Sequence, residues 1–411
     1  MRVIVTNPPW WGTRAGSRWP SKSEWGSYFP YPIHLAGAVS TLRKNHAFVT
    51  FFDAVAKRMR MEQLDAYIEQ VRQIRPQLII QAISTPSIVE DEVIAKRLSE
   101  IAPVAVTGPH ATSFGERMLK DWPFLFAVLQ GEIELNSVDL MNRMEPGVYG
   151  FKSAKNLDEY PFPAQENLYL YRDVPGPHGG VTYQTWASRG CFARCKFCIE
   201  PWADTGKASW RKKSPKYVVD ECIEAKRKFP LLDGVYLDGP TENVGDDRCK
   251  EIADRFSMAD IPFSMMTRLD TLELETWDYM LDRGFFYVKA GMESGVQELV
   301  DHTGKNLDLD KCTETVRHLK KRMHPRSIHL TCMYGIPGET KDTVYRTLKY
   351  LKSLGVYFQE SYMAPVPGTP YWDNAKELYP VEELAMGGKA APGNPDVAQW
   401  VRECKVELGM A

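Results

Sequence analysis

Three cysteines, Cys191, Cys195 and Cys198, stand in the run Ser188-Arg189-Gly190-Cys191-Phe192-Ala193-Arg194-Cys195-Lys196-Phe197-Cys198, at C-x3-C-x2-C spacing. Three thiolates on one short loop can hold three irons of a cubane iron–sulfur cluster and leave the fourth iron without a protein ligand. An open iron is a place for a substrate or cofactor to bind, so the spacing points to chemistry rather than scaffolding. A structural zinc site wants four ligands, commonly as two spaced pairs. Here Cys222 lies well downstream in a helical pattern, the nearest upstream histidine is His178, and no further C-x2-C pair follows. A redox C-x-x-C is contained in Cys195–Cys198, but it would leave Cys191 superfluous. Cys222, Cys249, Cys312 and Cys404 fall on helical patterns or in the tail and are expected to be dispensable for the cluster.

At 411 residues the chain exceeds the usual size of one domain, so two domains are expected. Hydrophobic residues at 44% and charged residues at 25% place it among globular proteins rather than disordered ones. A net charge of -2 gives no support for bulk nucleic-acid binding. The basic run Trp210-Arg211-Lys212-Lys213-Ser214-Pro215-Lys216 reads as a solvated face, with RNA modification the minor alternative. No apolar run approaches a membrane span, and Met1-Arg2-Val3-Ile4-Val5 leads into a strand rather than a signal peptide. Scattered cysteines without an export signal predict a cytoplasmic protein.

The elements that must position the cysteine loop come in two alternating series. The first, residues 1–145, has strands at Arg2–Thr6, Phe48–Phe52, Leu78–Ala82, Val104–Thr107 and Leu125–Leu129. Helices are expected near Ile33–Arg43, Met61–Ile74, Val89–Ile101 and Phe114–Leu119, with another from Ile133. This is the pattern of a doubly wound, Rossmann-like α/β domain, whose ligands bind at the carboxyl ends of the strands. Those ends carry Asn7-Pro8-Pro9-Trp10, Asp53, Ser84-Thr85, Thr107-Gly108-Pro109-His110 and Gly131-Glu132. A connector, 146–180, is broken by Pro146, Pro161, Pro163, Pro175 and Pro177 and is expected to cross the surface. The second series, 181–372, has strands at Thr182–Ser188, Gly234–Asp238, Phe263–Arg268, Tyr287–Gly291, Ile328–Tyr334 and Val356–Met363. Its helices are Tyr217–Lys228, Asp247–Ser257, Leu274–Arg283, Leu309–Arg322 and Lys341–Leu354. Six such units predict a partial (β/α)6 barrel with the cysteine loop on its carboxyl face. Residues 373–411, with Gly387-Gly388, Pro392 and Pro395, read as a lid or tail.

With these residues in view, the chain resembles the radical S-adenosylmethionine (SAM) enzymes that carry an N-terminal cobalamin (B12)-binding-type domain, from Met1 to about Tyr371. The resemblance implies a [4Fe–4S] cluster on Cys191, Cys195 and Cys198, with SAM chelating the open iron. One electron from the cluster then cleaves SAM to methionine and a 5′-deoxyadenosyl radical, which abstracts hydrogen from a substrate. It further implies a SAM methionyl contact at Gly239-Pro240-Thr241-Glu242 and a SAM carboxylate contact at Arg268. Ribose would be held at Glu293-Ser294, and adenine would lie beside Gly335-Ile336 and Phe197. Pro365-Val366-Pro367-Gly368-Thr369-Pro370 would close the barrel. A carboxylate suits ribose hydroxyls, a guanidinium suits a carboxylate, and glycines let backbone approach a ligand.

In the first half, Pro9, Asp53, Thr85, Gly108, His110, Gly131 and Glu132 resemble the cofactor-binding edge of such domains, as part of the ordered set that includes Thr107-Gly108-Pro109-His110-Ala111-Thr112 and Gly131-Glu132-Ile133-Glu134. The Asp-x-His-x-x-Gly that supplies a cobalt ligand in some relatives is replaced by Asn7-Pro8-Pro9-Trp10-Trp11-Gly12. Cobalamin held without a protein ligand, cobalamin held otherwise, and a domain without the cofactor all stay open, and His110 reads as a loop histidine. The expected reaction is cobalamin-dependent methylation of an unactivated carbon in a small natural-product or sugar-like substrate. Radical dehydration, deoxygenation, epimerisation or rearrangement is the alternative, and a non-catalytic cluster-binding partner a third. Tyr334, Glu360, Tyr362 and Cys332 are the candidate hydrogen or proton donors. An electron donor such as flavodoxin or ferredoxin is implied as partner.

Overall fold

The structure is a computed structural model that describes residues 1–9, 31–173, 176, 179–203, 209–375 and 396–410. Six strands, β1 (Arg2–Asn7), β2 (Phe48–Asp53), β3 (Leu78–Ala82), β4 (Val104–Thr107), β5 (Ala127–Gln130) and β6 (Gly147–Gly150), form a parallel sheet in the order β2-β1-β3-β4-β5-β6. Between them run α1 (Ile33–Lys44), α2 (Leu64–Ile74), α3 (Ile88–Ser99), α4 (Pro109–Asp121) and α5 (Ile133–Arg143). The central strands β3 and β4 are buried along their whole length, because helices cover both sheet faces. Alternation divides their side chains accordingly. Val3, Val5 and Ile80 pack with Leu35, Leu42 and Leu140 on one face. Ile4, Ile79 and Val106 pack with Tyr67, Ile94 and Leu98 on the other.

The second half begins with β7 (Thr182–Thr185), followed by the antiparallel ribbon β8 (Ser188–Gly190) and β9 (Trp210–Lys212). Then come β10 (Gly234–Leu237), β11 (Phe263–Thr267), β12 (Phe285–Glu293), β13 (Ile328–Tyr334) and β14 (Tyr357–Tyr362). The parallel sheet order is β14-β13-β12-β11-β10-β7, and among the described residues β14 and β7 do not pair, so the barrel is open. Its helices are α6 (Glu200–Ala203), α7 (Pro215–Lys228), α8 (Asp246–Met258), α9 (Leu274–Leu281), α10 (Gln297–His302), α11 (Leu309–Leu319), α12 (Lys341–Leu354), α13 (Pro370–Ala375) and α14 (Val397–Glu407). Local sequence sets their ends. Ser214 Oγ accepts the Tyr217 N–H (3.1 Å) with Pro215 in the first turn of α7, and Asp308 caps α11 through the N–H groups of Asp310 and Lys311. Thr340 and Thr343 cap α12 reciprocally, and Gly355 ends it at φ 62°.

Four expectations are corrected. The strand foreseen at Thr182–Ser188 breaks after Thr185, because the Glu242 carboxylate accepts the N–H groups of Ala187 (2.8 Å) and Ser188 (3.2 Å) and turns the chain into the ribbon. The basic run after Trp210 is a solvated face only in part: Lys212 and Lys216 are exposed, but Arg211 and Lys213 turn inward to Glu132 and Glu221. Within the connector, Gly147–Gly150 joins the first sheet, and Leu157, Leu168 and Tyr171 are buried. The short helix expected at Phe114–Leu119 runs Pro109–Asp121, with a kink at Gly115. The readings of Trp10-Trp11-Gly12, Pro175, Pro177, His178, Gly387-Gly388, Pro392 and Pro395 lie outside the described residues. Of the expected tail, Val397–Glu407 is a helix whose Val397, Val401 and Cys404 join the main apolar core.

Candidate active site between two carboxyl edges

Both parallel sheets present their carboxyl strand ends to one cavity of about 520 Å³. Asn7, Pro9, Ser84, Gly108, Gly131 and Glu132 line it from the first sheet, and Trp186, Cys198, Gly239, Asp238, Met266 and Lys289 from the barrel. Gly108 has φ 125°, and a Cβ there would overlap the Ile83 carbonyl oxygen, so the strand-end backbone lies bare only because the residue is glycine. Gly131 is likewise left-handed at φ 75°, its N–H held by Thr112 Oγ1 (3.1 Å).

The cysteine loop is pinned from three directions. Gly190, at φ 70°, precedes Cys191 at a point where a Cβ would meet the Ser209 carbonyl of the returning ribbon strand. The Lys196 N–H donates to the Thr303 carbonyl (2.7 Å), and the Lys196 carbonyl accepts the Tyr371 N–H (3.1 Å). Cys191 and Cys195 are buried, Cys198 lines the cavity, and all three are free thiols. Burial pushes the Cys195 thiol up to about 11 and raises Cys198 as well. Among the described residues no trio of His, Cys, Asp or Glu converges on a single metal point.

A buried ion cluster ties this loop to the first domain. Arg189 Nη1 donates to Glu134 Oε2 (3.1 Å), its Nη2 to Glu134 Oε1, and Nη1 lies 3.5 Å from Glu132 Oε2. Arg211 pairs with Glu132 Oε1, and Tyr160 Oη donates to Glu132 Oε2 (2.5 Å). Both carboxylates sit at the start of α5, where the helix dipole favours negative charge. Glu132, expected at a cofactor edge, therefore lines the cavity while its oxygens are spent on this junction.

Around the barrel rim, Glu242 is buried, its Oε1 taking the two backbone N–H groups at the ribbon; its Oε2 has no partner among the described residues. Arg268 makes its bidentate pair with Asp270 (3.0 and 2.8 Å) and donates to the carbonyls of Lys305 and Asn306. The fork foreseen for an external carboxylate is thus filled by a neighbour two residues on. Glu293 ends β12 at φ 63°, beyond a register shift at Gly291, and Lys305 Nζ holds its Oε1 (2.5 Å). A non-glycine residue in that region marks local strain, which clusters at ligand sites. Ser294 is buried against Thr347 Oγ1 (2.9 Å). Phe197 packs with Val296, Met333, Ile336 and Met363, so the two residues expected near an adenine share one apolar patch. Gly335, at φ 88°, donates its N–H to Glu339 Oε2 (2.5 Å).

Other expected residues stand elsewhere. Asp53 is fully buried, accepting from Asn7 Nδ2 (3.1 Å), the Ala56 N–H (3.1 Å) and Tyr171 Oη (2.5 Å), and burial raises its carboxyl. Thr85 Oγ1 meets His110 Nδ1 (3.0 Å), and burial holds that imidazole neutral, down to about 4. None of the three lines the cavity. Tyr334, Glu360, Tyr362 and Cys332 also lie off it, as do the other residues of β13 and β14. Cys332 and Tyr334 share a core with Val344 of α12 and Val401 of α14, Tyr334 Oη donates to Glu360 Oε1 (2.9 Å), and Lys405 of α14 holds Glu360 Oε2.

Residues 187–351 match the Radical SAM superfamily model. An uncharacterized methyltransferase of Pyrococcus horikoshii is 26% identical over 372 residues, covering 84% of this chain and 78% of its own length. The anaerobic magnesium-protoporphyrin IX monomethyl ester cyclase of Cereibacter sphaeroides is 23% identical, over 85% of this chain and 59% of its own. In fold, the chain is similar to OxsB, a cobalamin-dependent S-adenosylmethionine radical enzyme (TM-score 0.68, 16% identity, 100% of this chain and 62% of OxsB). It is also similar to the radical S-adenosylmethionine methyltransferase TsrM of Kitasatospora setae (TM-score 0.70, 16% identity, 95% of this chain and 79% of TsrM). Residues 187–351 thus carry a domain of the Radical SAM superfamily, and the chain as a whole shares the two-domain fold of OxsB and TsrM. It spans about three-fifths of the length of the cyclase and of OxsB. Among the described residues, no helix is long and apolar enough to cross a membrane.

Proposed function

We propose that Cys191, Cys195 and Cys198 hold a [4Fe–4S] cluster, that SAM binds beside it, and that cobalamin lies between the two carboxyl edges, so that the enzyme methylates a carbon of a small molecule. When bound, the cluster and SAM supply hydrogen abstraction from an unreactive carbon and cobalamin supplies a methyl group, chemistry that side chains lack. The observation that carries this reading is the shared cavity: the thiol of Cys198 and the bare strand ends at Gly108 and Gly131 open onto one space.

In that scheme the orphaned Oε2 of Glu242 takes the SAM ammonium, and Glu293 accepts ribose hydroxyls. Phe197 and Ile336 flank adenine, with the Gly335 backbone beside it. Arg268, committed to Asp270, acts by its positive field on the cysteine side of the rim, since it also faces Cys195. Cobalamin is held by shape and backbone at Pro9, Gly108 and Gly131. His110, neutral and bonded to Thr85, supplies no cobalt ligand. Burial around the loop excludes water from the reacting atoms. A one-electron donor such as flavodoxin or ferredoxin completes the cycle.

The test is anaerobic reconstitution with iron, sulfide and hydroxocobalamin. A cubane EPR signal altered by SAM, a bound-corrinoid absorbance spectrum, and S-adenosylhomocysteine formed beside 5′-deoxyadenosine are expected. Without corrinoid and S-adenosylhomocysteine, but with 5′-deoxyadenosine, the cobalamin-independent reading replaces methylation. A cluster indifferent to SAM rejects both.

A further inference from the structure

Among the described residues that line the cavity, one cation, Lys289, is left unused by the reading above. Lys289 interrupts the apolar strand β12, where it pairs in register with Met266 on one side and His329 on the other, and its side chain lines the cavity. It lies four residues before Glu293, the last residue of the strand, and so deeper in the barrel than the rim. Among the described residues no acceptor lies within hydrogen-bond or ion-pair distance of its ammonium. Asp238 feels its charge across the cavity but does not bond it, so the half-buried ammonium keeps its donors for a ligand. The other guanidinium or ammonium lining this cavity, Arg189, is already neutralised by Glu134.

The neighbours sharpen the chemistry. His329 is held neutral by burial and by the positive charge of Lys289, down to about 3, so it neither competes for nor repels an anion. Asp238 follows the end of β10 and also lines the cavity; burial raises it to about 6, leaving it ionised at neutral pH. Met266 lines the cavity with them, and Asp238 and Lys289 make no ion pair. The lumen therefore presents one positive and one negative group held apart.

We infer that Lys289 anchors the carboxylate or phosphate group of the small-molecule substrate in the barrel lumen, with Asp238 facing a hydroxyl or amine of the same molecule. This deepens the proposed function and rests on the lumen being the substrate chamber.

Equilibrium dialysis of the full reconstituted chain, without SAM, against labelled malonate and separately against labelled inorganic phosphate at fixed ionic strength tests it. Saturable binding of at least one probe is expected, retained in Lys289→Arg and weakened about tenfold or more in Lys289→Met, as loss of a charge-assisted contact implies. Binding of malonate alone supports a carboxylate substrate, and of phosphate alone a phosphorylated one. No saturable binding, or binding that Lys289→Met leaves unchanged, overturns the inference. Circular dichroism checks folding, with Lys289→Gln as the second neutral variant. The SAM-dependent EPR change is recorded on the same wild-type preparation. Its absence sinks the cofactor reading alone, so the two failures are distinguishable.

Discussion

Arg189, two residues before the first cysteine, places both terminal nitrogens of its guanidinium on the carboxylate of Glu134, at the start of a helix in the other domain. Both side chains are almost wholly buried, at 10% and 1% exposure, which decides the energetics: a lone buried charge is far costlier than a missing pair.

Glu134→Leu and Arg189→Met should therefore each destabilise the protein by about 3–5 kcal/mol, while the two combined should cost less than either single change. Urea denaturation across the double-mutant cycle measures this. Additive single effects would show that the two residues do not act as a pair.

For the cluster, Cys191→Ala, Cys195→Ala and Cys198→Ala should each abolish the cubane EPR signal. Cys222→Ala, Cys249→Ala and Cys312→Ala should keep it and lose only packing, since those thiols are buried in the main core. Iron and sulfide content per chain is the measurement; loss of the cluster on changing Cys222 alone would contradict the assignment.

Gly190→Ala should impair the same loop without touching a ligand. It forces a side chain into a left-handed conformation against the Ser209 carbonyl, at a cost of about 1–3 kcal/mol. Lower iron occupancy together with a lower melting temperature is the expected result.

Much of this arrangement was readable in the chain itself. The alternating series announced two parallel sheets because β-branched and aromatic runs such as Leu78–Ala82 and Ile328–Tyr334 end in glycine, proline or polar residues, and both were found with those bounds. The thiol spacing announced the loop. What could not be read was the setting of side chains at strand ends. A period of two gives alternation but not which strands border the cavity, so Tyr334 and Glu360 read as candidate donors at strand ends, whereas Tyr334 packs in the core with α12 and α14 and Lys405 of α14 holds Glu360. Long-range ion pairs were equally silent, because nothing local links Arg189 to Glu134 across 55 positions. Lys289 did leave a signal: a lysine set between Val288 and Ala290 in an otherwise apolar barrel strand.

The trio of Tyr334, Glu360 and Lys405 supplies a further prediction. Tyr334→Phe removes the hydrogen bond to Glu360 and should lower stability by about 1 kcal/mol. Thermal melting reads that loss; unchanged melting with abolished product formation would instead place the phenol in the chemistry.

Acid titration offers a last check through Glu339. Burial raises its carboxyl from 4.5 to about 7, and its Oε1 has no partner among the described residues. The folded state then holds a proton that the unfolded chain releases, so this contribution is complete below pH 4.5 and disappears as pH rises through about 7. Glu339→Gln should flatten that dependence, gaining on the order of 2 kcal/mol relative to wild type at pH 8 compared with pH 4. Equal pH slopes for the two proteins in chemical denaturation would refute it.

The loop's moorings also impose an order in time. A chain leaving the ribosome amino end first exposes its three sulfurs long before Thr303 and Tyr371, the residues that fasten the turn, have been made. Loading of the proposed cluster would then be a late event in biogenesis, after the barrel strands have assembled behind the loop, and cells starved of iron should accumulate a folded apoprotein rather than a stalled nascent one.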